Sequence, residues 1–385
     1  MRVVFFAQHM PDPCGAFFHD IVFAKELQRR GHSANFVVTA NKMPEKQGVY
    51  RGIPWKHFSI SERELNAANL WCSPHFPFLN TVRRLNERFQ KPLLITMHFG
   101  EDRDSITNDY PRVGKWAEML WIISDHIKNH IMETTRICSS IKLCDSVRPL
   151  MLENEVKFQE RGTLPPGECI TLVNANLLKG LPIFIDLAIR FPEKKFLGVR
   201  PYYNRIHVPE NIPNIEWMNV QDDIRVVLQK TRIMLVPSQY ESWGRVAFEA
   251  MYNGIPVIHT LPYDRKDSRA RKSGSSEGMQ EWIQGTQHGC SYDKIDDWVA
   301  AIKDLDDEAT YEEYSKKAYD QTYAMDIFND FEKIEKKIVD YANTYPPPVA
   351  VTAASQPLAQ QPVLTLRAPV GNVMPFRGGR FSVRR

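Results

Sequence analysis

Glu241 and Glu249 stand eight positions apart in the stretch Pro-Ser-Gln-Tyr-Glu-Ser-Trp-Gly-Arg-Val-Ala-Phe-Glu-Ala-Met-Tyr-Asn-Gly-Ile-Pro-Val, residues 237–257. Val246, Ala250 and Met251 recur at helical spacing, which predicts a helix carrying both acids. At about 1.5 Å rise per residue the acids would lie roughly 12 Å apart along its axis, so one elongated ligand could touch both. Ser238 and Glu241 also fit a Ser-x-x-Glu capping box, which needs no ligand. The same residues thus support a binding role and a purely structural one.

The flanking pattern supplies a frame. Residues 233–236 are an apolar run that reads as a buried strand. Gly254 is placed to end the helix, and 255–258 restart a strand. Strand, turn, helix, strand is the unit of an α/β sheet. The chain opens in the same way: a strand over 2–7, a helix to about Arg30 with Phe17, Ile21, Ala24 and Leu27 on one face, and a strand over 33–39. No Gly-x-Gly-x-x-Gly follows the first strand, so dinucleotide binding has little support. Further strands are expected over 68–72, 92–97 and 119–123. His98 follows the second of these, at the carboxyl end of a buried strand, where open α/β sheets place ligands. Residues 155–166 are charged and poor in apolar side chains, and mark a domain boundary. Alternation then resumes with strands over 169–173, 195–199 and 215–218. Lys179-Gly180 leads a helix with Pro182 in its first turn. Helices are expected over 222–230, 298–305, 311–319 and 327–341.

The string Pro-Ser-x-x-Glu-Ser-x-Gly-Arg-Val-x-x-Glu-Ala-Met-x-x-Gly-Ile-Pro-Val-Ile resembles the nucleotide-sugar site of retaining glycosyltransferases of group 1. Their signature is two glutamates separated by seven residues and followed by Gly-x-Pro-Val. The resemblance implies an α/β GT-B fold, two Rossmann-like domains facing each other across a cleft. Residues 1–165 would form the acceptor domain and 166–325 the nucleotide-sugar domain. A terminal helix over 326–345 would cross back to the first domain, and 346–385 would be a disordered basic tail. It implies a UDP- or GDP-linked sugar as donor, with no cofactor and no metal. Glu249 would hold the ribose hydroxyls and Glu241 the sugar. Ser242, Trp243, Gly244 and Arg245 would offer backbone N–H groups at a helix N-terminus to the diphosphate. Lys179 would neutralise the leaving group as charge develops on it. Gly15 would line the acceptor side, and His98 would stand near the reacting sugar, in Thr96-Met97-His98-Phe99-Gly100, one residue longer than the family's Thr-x-His-Gly. The family usually has Gly-Arg where this chain has Val173-Asn174. Either Arg200 or Arg245 would then replace the missing cation at Asn174, or diphosphate binding would be weaker than usual. That departure also keeps open a non-catalytic nucleotide-sugar or nucleic-acid binder on a degenerate transferase fold.

The bulk properties bound these readings. A chain of 385 residues with 43% hydrophobic content is long enough for two cored domains. No stretch approaches the roughly 18 apolar residues of a membrane helix. Six cysteines show no Cys-x-x-Cys spacing, so the cytoplasm is the expected compartment. Net charge is +3, and five arginines with no acid or lysine lie beyond residue 345, which leaves −2 on the rest. A basic insertion around 265–272 and this tail raise an anionic polymer, such as DNA with hydroxylated bases as in phages, as an acceptor beside glycans, lipids and small molecules. Asp102-Arg103-Asp104 matches an Asp-x-Asp metal motif, but three residues recur too readily by chance to carry a metal site.

Overall fold

A computed structural model describes residues 1–344 except 13, 41–43, 75–78, 99–117, 135–141, 144–145, 161, 164–166, 203–206 and 263–276. The Asp102–Asp104 motif, the 265–272 insertion and the tail therefore lie outside the described residues.

In the first half, β1 (Arg2–Ala7), α1 (Gly15–Arg29), β2 (Ser33–Val38), β3 (Gln47–Tyr50) and β4 (Ile53–His57) are followed by α2 (Glu62–Ala67), β5 (Leu70–Pro74), α3 (Leu79–Phe89) and β6 (Leu93–Met97). Then come β7 (Glu118–Ile122), α4 (Asp125–Thr134), β8 (Lys142–Leu143) and one turn of helix, α5 (Glu153–Val156). The strands form one sheet in the order β3-β4-β2-β1-β5-β6-β7-β8, parallel except for the β3–β4 hairpin. Central strands such as Leu93–Met97 are apolar almost throughout because helices cover both faces of a parallel sheet. The hairpin escaped the sequence reading. Its turn places Arg51 at φ 48° and Gly52 at φ 83°, and an arginine in the left-handed region gives no composition signal for such a turn.

In the second half, β9 (Cys169–Leu172), α6 (Leu181–Arg190), β10 (Phe196–Val199), β11 (Ile215–Met218), α7 (Arg225–Leu228) and β12 (Thr231–Val236) lead to α8 (Arg245–Met251), β13 (Val257–Thr260), α9 (Glu277–Ile283) and β14 (His288–Cys290). Helices α10 (Ile295–Asp304), α11 (Glu308–Ala324) and α12 (Asp330–Thr344) complete it. The second sheet runs β11-β10-β9-β12-β13-β14, all parallel. Counted within the sheet this is 3-2-1-4-5-6, the doubly wound order, which reverses between β9 and β12. The helix expected over 222–230 shrinks to Arg225–Leu228, with the Asp223 carboxylate accepting the Arg225 N–H at 3.0 Å at its start. None of the described helices is long and apolar enough to cross a membrane.

The halves are in contact. Helix α12 returns to the first sheet, where Phe331 packs 5.6 Å from Phe23 and Arg148 forms a bidentate pair with Asp330 at 2.6 and 2.7 Å. Tyr50 donates its hydroxyl to Asp222 at 3.1 Å, and Arg51 donates to the Asp222 carbonyl. Glu281 of α9 accepts the backbone N–H groups of Asp125 and His126 at the start of α4.

Candidate active-site cleft

The reversal between β9 and β12 opens a crevice at their carboxyl ends, where doubly wound sheets bind ligands. Lys179 follows β9 and Glu241 follows β12, so topology alone brings them together. They line one cleft of about 710 Å³, which also receives Gly15, Arg51 and His98 from the first half.

Two loops are pressed against each other to make the contact. Gly180 sits at φ 80°, and a Cβ there would lie 2.1 Å from the Pro237 carbonyl, so only glycine lets the loops approach. Asn176 Oδ1 accepts the Lys179 N–H at 3.1 Å and shapes the preceding turn. Lys179 Nζ then pairs with Glu241 Oε1. Ser238 Oγ donates to the same oxygen at 2.7 Å. The capping-box residues do meet, but as a loop contact and not as a helix cap.

Glu241 is not on a helix. Residues 237–244 are irregular, and α8 begins only at Arg245 and runs for seven residues. Gly244 stops it from starting earlier, since φ 81°, ψ 48° is a left-handed conformation. The expected helix N-terminus over 242–245 is thus the single first turn behind Gly244. The Trp243 side chain is buried between Phe248 and Trp282, whose indole N–H donates to the Trp243 carbonyl at 2.8 Å. Trp243 anchors the loop, while Ser242 and Gly244 border the cleft beside it.

Glu249 is 6% exposed and accepts from Arg245 Nε at 2.7 Å. Burial raises its carboxyl above the usual range, against the opposing pull of Arg245. Asn174 lies in the left-handed region at φ 61° and accepts from Asn176 Nδ2 at 3.3 Å. An asparagine suits that backbone, and the side chain shapes the loop that holds Lys179. Both candidate replacements for the missing cation line the cleft. Arg200 pairs with Glu210 at 2.8 Å and lies over Trp217, while Arg245 serves Glu249. The sequence reading missed two further cations that line the cleft, Arg225 and Arg51, the latter reaching it from the hairpin tip over the Phe18 ring.

His98 lines the first-domain wall and is 6% exposed. Burial, reinforced by Arg245, lowers it to about 3, so it is neutral at physiological pH. Gly15 is exposed and opens α1 behind Cys14.

Residues 201–264 match the family model of glycosyl transferases group 1. No curated protein matches the chain. Among solved structures, Anabaena HepE in complex with UDP-glucose is similar at 14% identity, covering 88% of this chain and 100% of that one, with a TM-score of 0.67. Sucrose-phosphate synthase from Thermosynechococcus elongatus is similar at 12% identity over 88% and 99% of the two chains, TM-score 0.66. A glycosyltransferase from Rickettsia africae is similar at 11% identity over 90% and 99%, TM-score 0.64. The chain has the GT-B glycosyltransferase fold, and the segment that carries both glutamates, within residues 201–264, is similar in sequence to glycosyl transferases group 1.

Proposed function

We propose that the protein is a retaining glycosyltransferase that moves a sugar from a nucleotide-sugar to an acceptor hydroxyl. One observation carries the reading: Lys179, Glu241 and Glu249, far apart in the chain, all line the one cleft between the two sheets. In this reading Glu249 holds the ribose hydroxyls and Glu241 contacts the sugar. Lys179 and the N–H groups of the first turn of α8 oppose the charge that develops on the departing diphosphate. In the transfer step the bond from C1 to the phosphate oxygen breaks. The acceptor oxygen bonds to C1 on the same face, and its proton passes to the departing phosphate. HepE, of the same fold, is described with UDP-glucose, which makes a UDP-sugar the first donor to test.

Thermal denaturation against UDP-, GDP- and ADP-sugars tests the donor. A cognate donor should raise Tm with concentration, because it binds the folded state alone. Incubation of that donor without acceptor should then release free sugar slowly. A donor that raises Tm but releases no sugar would favour the non-catalytic binder, which the asparagine at 174 supports. Transfer to hydroxymethylated DNA, with a steep salt dependence, would identify an anionic polymer acceptor.

A further inference from the structure

His98 does not meet the cleft alone. Behind it, on α1, lie His19 and Asp20, and the three offer ligand atoms within 4.8 Å of one another. All three side chains are buried. Leu150 donates its backbone N–H to His19 Nδ1 at 2.9 Å. Nδ1 must therefore keep its lone pair, and in a neutral ring the proton sits on Nε2. Burial holds His19 well below the usual imidazole range, so the ring is neutral. His19 Nε2 is sealed from solvent without a hydrogen-bond partner, and so is His98 Nε2. The His19 and His98 rings meet edge to face at 4.9 Å, and Thr96 Oγ1 donates to Asp20 Oδ1 at 3.5 Å.

Sealed polar atoms at this spacing fit a shared partner. One oxygen with hydrogen bonds of about 2.9 Å on two sides spans roughly 4.5–5 Å. A metal ion fits the spacing but not the chemistry, since it would need a lone pair on His19 Nε2, the nitrogen that the Leu150 contact leaves protonated.

We propose that one water molecule bridges His19, Asp20 and His98 and fixes His98, which lines the cleft, with its proton on Nδ1. Burial holds the Asp20 carboxyl well above the ordinary range, so it too can donate. A water that accepts from His19 Nε2–H and from Asp20 has its own hydrogens left to give, and one goes to His98 Nε2. His98 then presents an N–H to a sugar or phosphate oxygen, a step that rests on the proposed function. His19 and Asp20 are positioning residues that act through it.

Histidine-selective ¹⁵N labelling reads the tautomers in the full-length protein, with His19→Gln and His98→Gln assigning the two rings. The wild-type spectrum should show His98 protonated on Nδ1 and His19 on Nε2. Asp20→Ala and His19→Gln should each let His98 populate both tautomers. In transfer assays both variants should lose kcat on the order of 10- to 100-fold with little change in donor KM. His98 protonated on Nε2 in the wild type would overturn the proposal, even if neither variant folds. So would zinc shifting both rings, which would mark a metal site. If the wild type transfers no sugar, the proposed function fails while the tautomer measurement still decides this one.

Discussion

Lys179 faces a competition. Its ammonium now rests on Glu241, and in the proposed reaction a diphosphate would draw on the same charge. Lys179→Ala should lower kcat on the order of 10²- to 10³-fold, the usual effect of removing a fixed group that stabilises developing charge. Glu241→Ala should also abolish measurable transfer. Tm in both variants should stay near wild type, since the pair lies at a cleft and not in a core. Wild-type turnover in both would sink the assignment. A second prediction concerns pH. Burial lowers His259 to about 4 and His98 to about 3. Between the unfolded value near 6.5 and these folded values, the unfolded chain binds the extra proton. The stabilisation from keeping each ring neutral is therefore complete above about pH 6.5 and is lost as pH falls towards the folded value. Asp20 and Glu249, raised by burial, act in the opposite sense, because their ionisation destabilises the fold as pH rises. The wild type should consequently lose roughly 2 kcal/mol more between pH 7 and pH 5 than His259→Gln, read from urea unfolding at each pH. Equal losses would show that His259 titrates normally.

The elements decide how these residues meet, and here the sequence was partly legible. Apolar runs announced the strands that flank the cleft, because strands covered on both faces must be apolar. The motif string marked both glutamates, and the Lys179-Gly180 pair between a strand and a helix marked the lysine. It could not show that Glu241 sits in a loop, since helical spacing over 246–251 says nothing about Gly244 adopting φ 81°. Nor could it give the Lys179–Glu241 pair or the reach of Arg51, which depend on strand order and on a hairpin turn. The sealed group behind His98 was hidden for the same reason, as helix α1 and strand β6 supply its members from distant segments. The loop contact makes its own prediction. Gly31 and Gly180 share φ near 80°, but a Cβ on Gly31 meets nothing within 4 Å. Gly31→Ala should cost only the left-handed strain, about 1–2 kcal/mol, with donor affinity unchanged. Gly180→Ala must also push the 237 loop away, so it should cost more and weaken donor binding. Donor titrations with an unchanged Kd in Gly180→Ala would show that the apposition of the two loops does not shape the site.

Across the whole molecule, helix α12 follows the second sheet in the chain but is packed on the first. Phe331 is 1% exposed, lies against Phe23 and carries the Arg30 guanidinium 5.1 Å above its ring. The Arg148–Asp330 pair and the Tyr341 hydroxyl on the Leu93 carbonyl at 3.5 Å extend the clasp. Phe328, one turn earlier, instead meets Phe248 and Tyr252 of the second half, so the helix entry spans the junction. Stability of the first sheet should therefore depend on residues that follow the second sheet in the chain. Phe331→Ala should destabilise by about 3–5 kcal/mol, the range for truncating a buried phenylalanine. Hydrogen exchange followed peptide by peptide locates the loss. Protection should fall in α1, where Phe331 is seated, and should persist in β9 and β12. A clasp of this kind also couples the halves, since opening the cleft must carry α12 with one sheet or detach it from the other. Loss of protection confined to the second sheet would mean that α12 belongs to the domain it follows and holds nothing across the cleft.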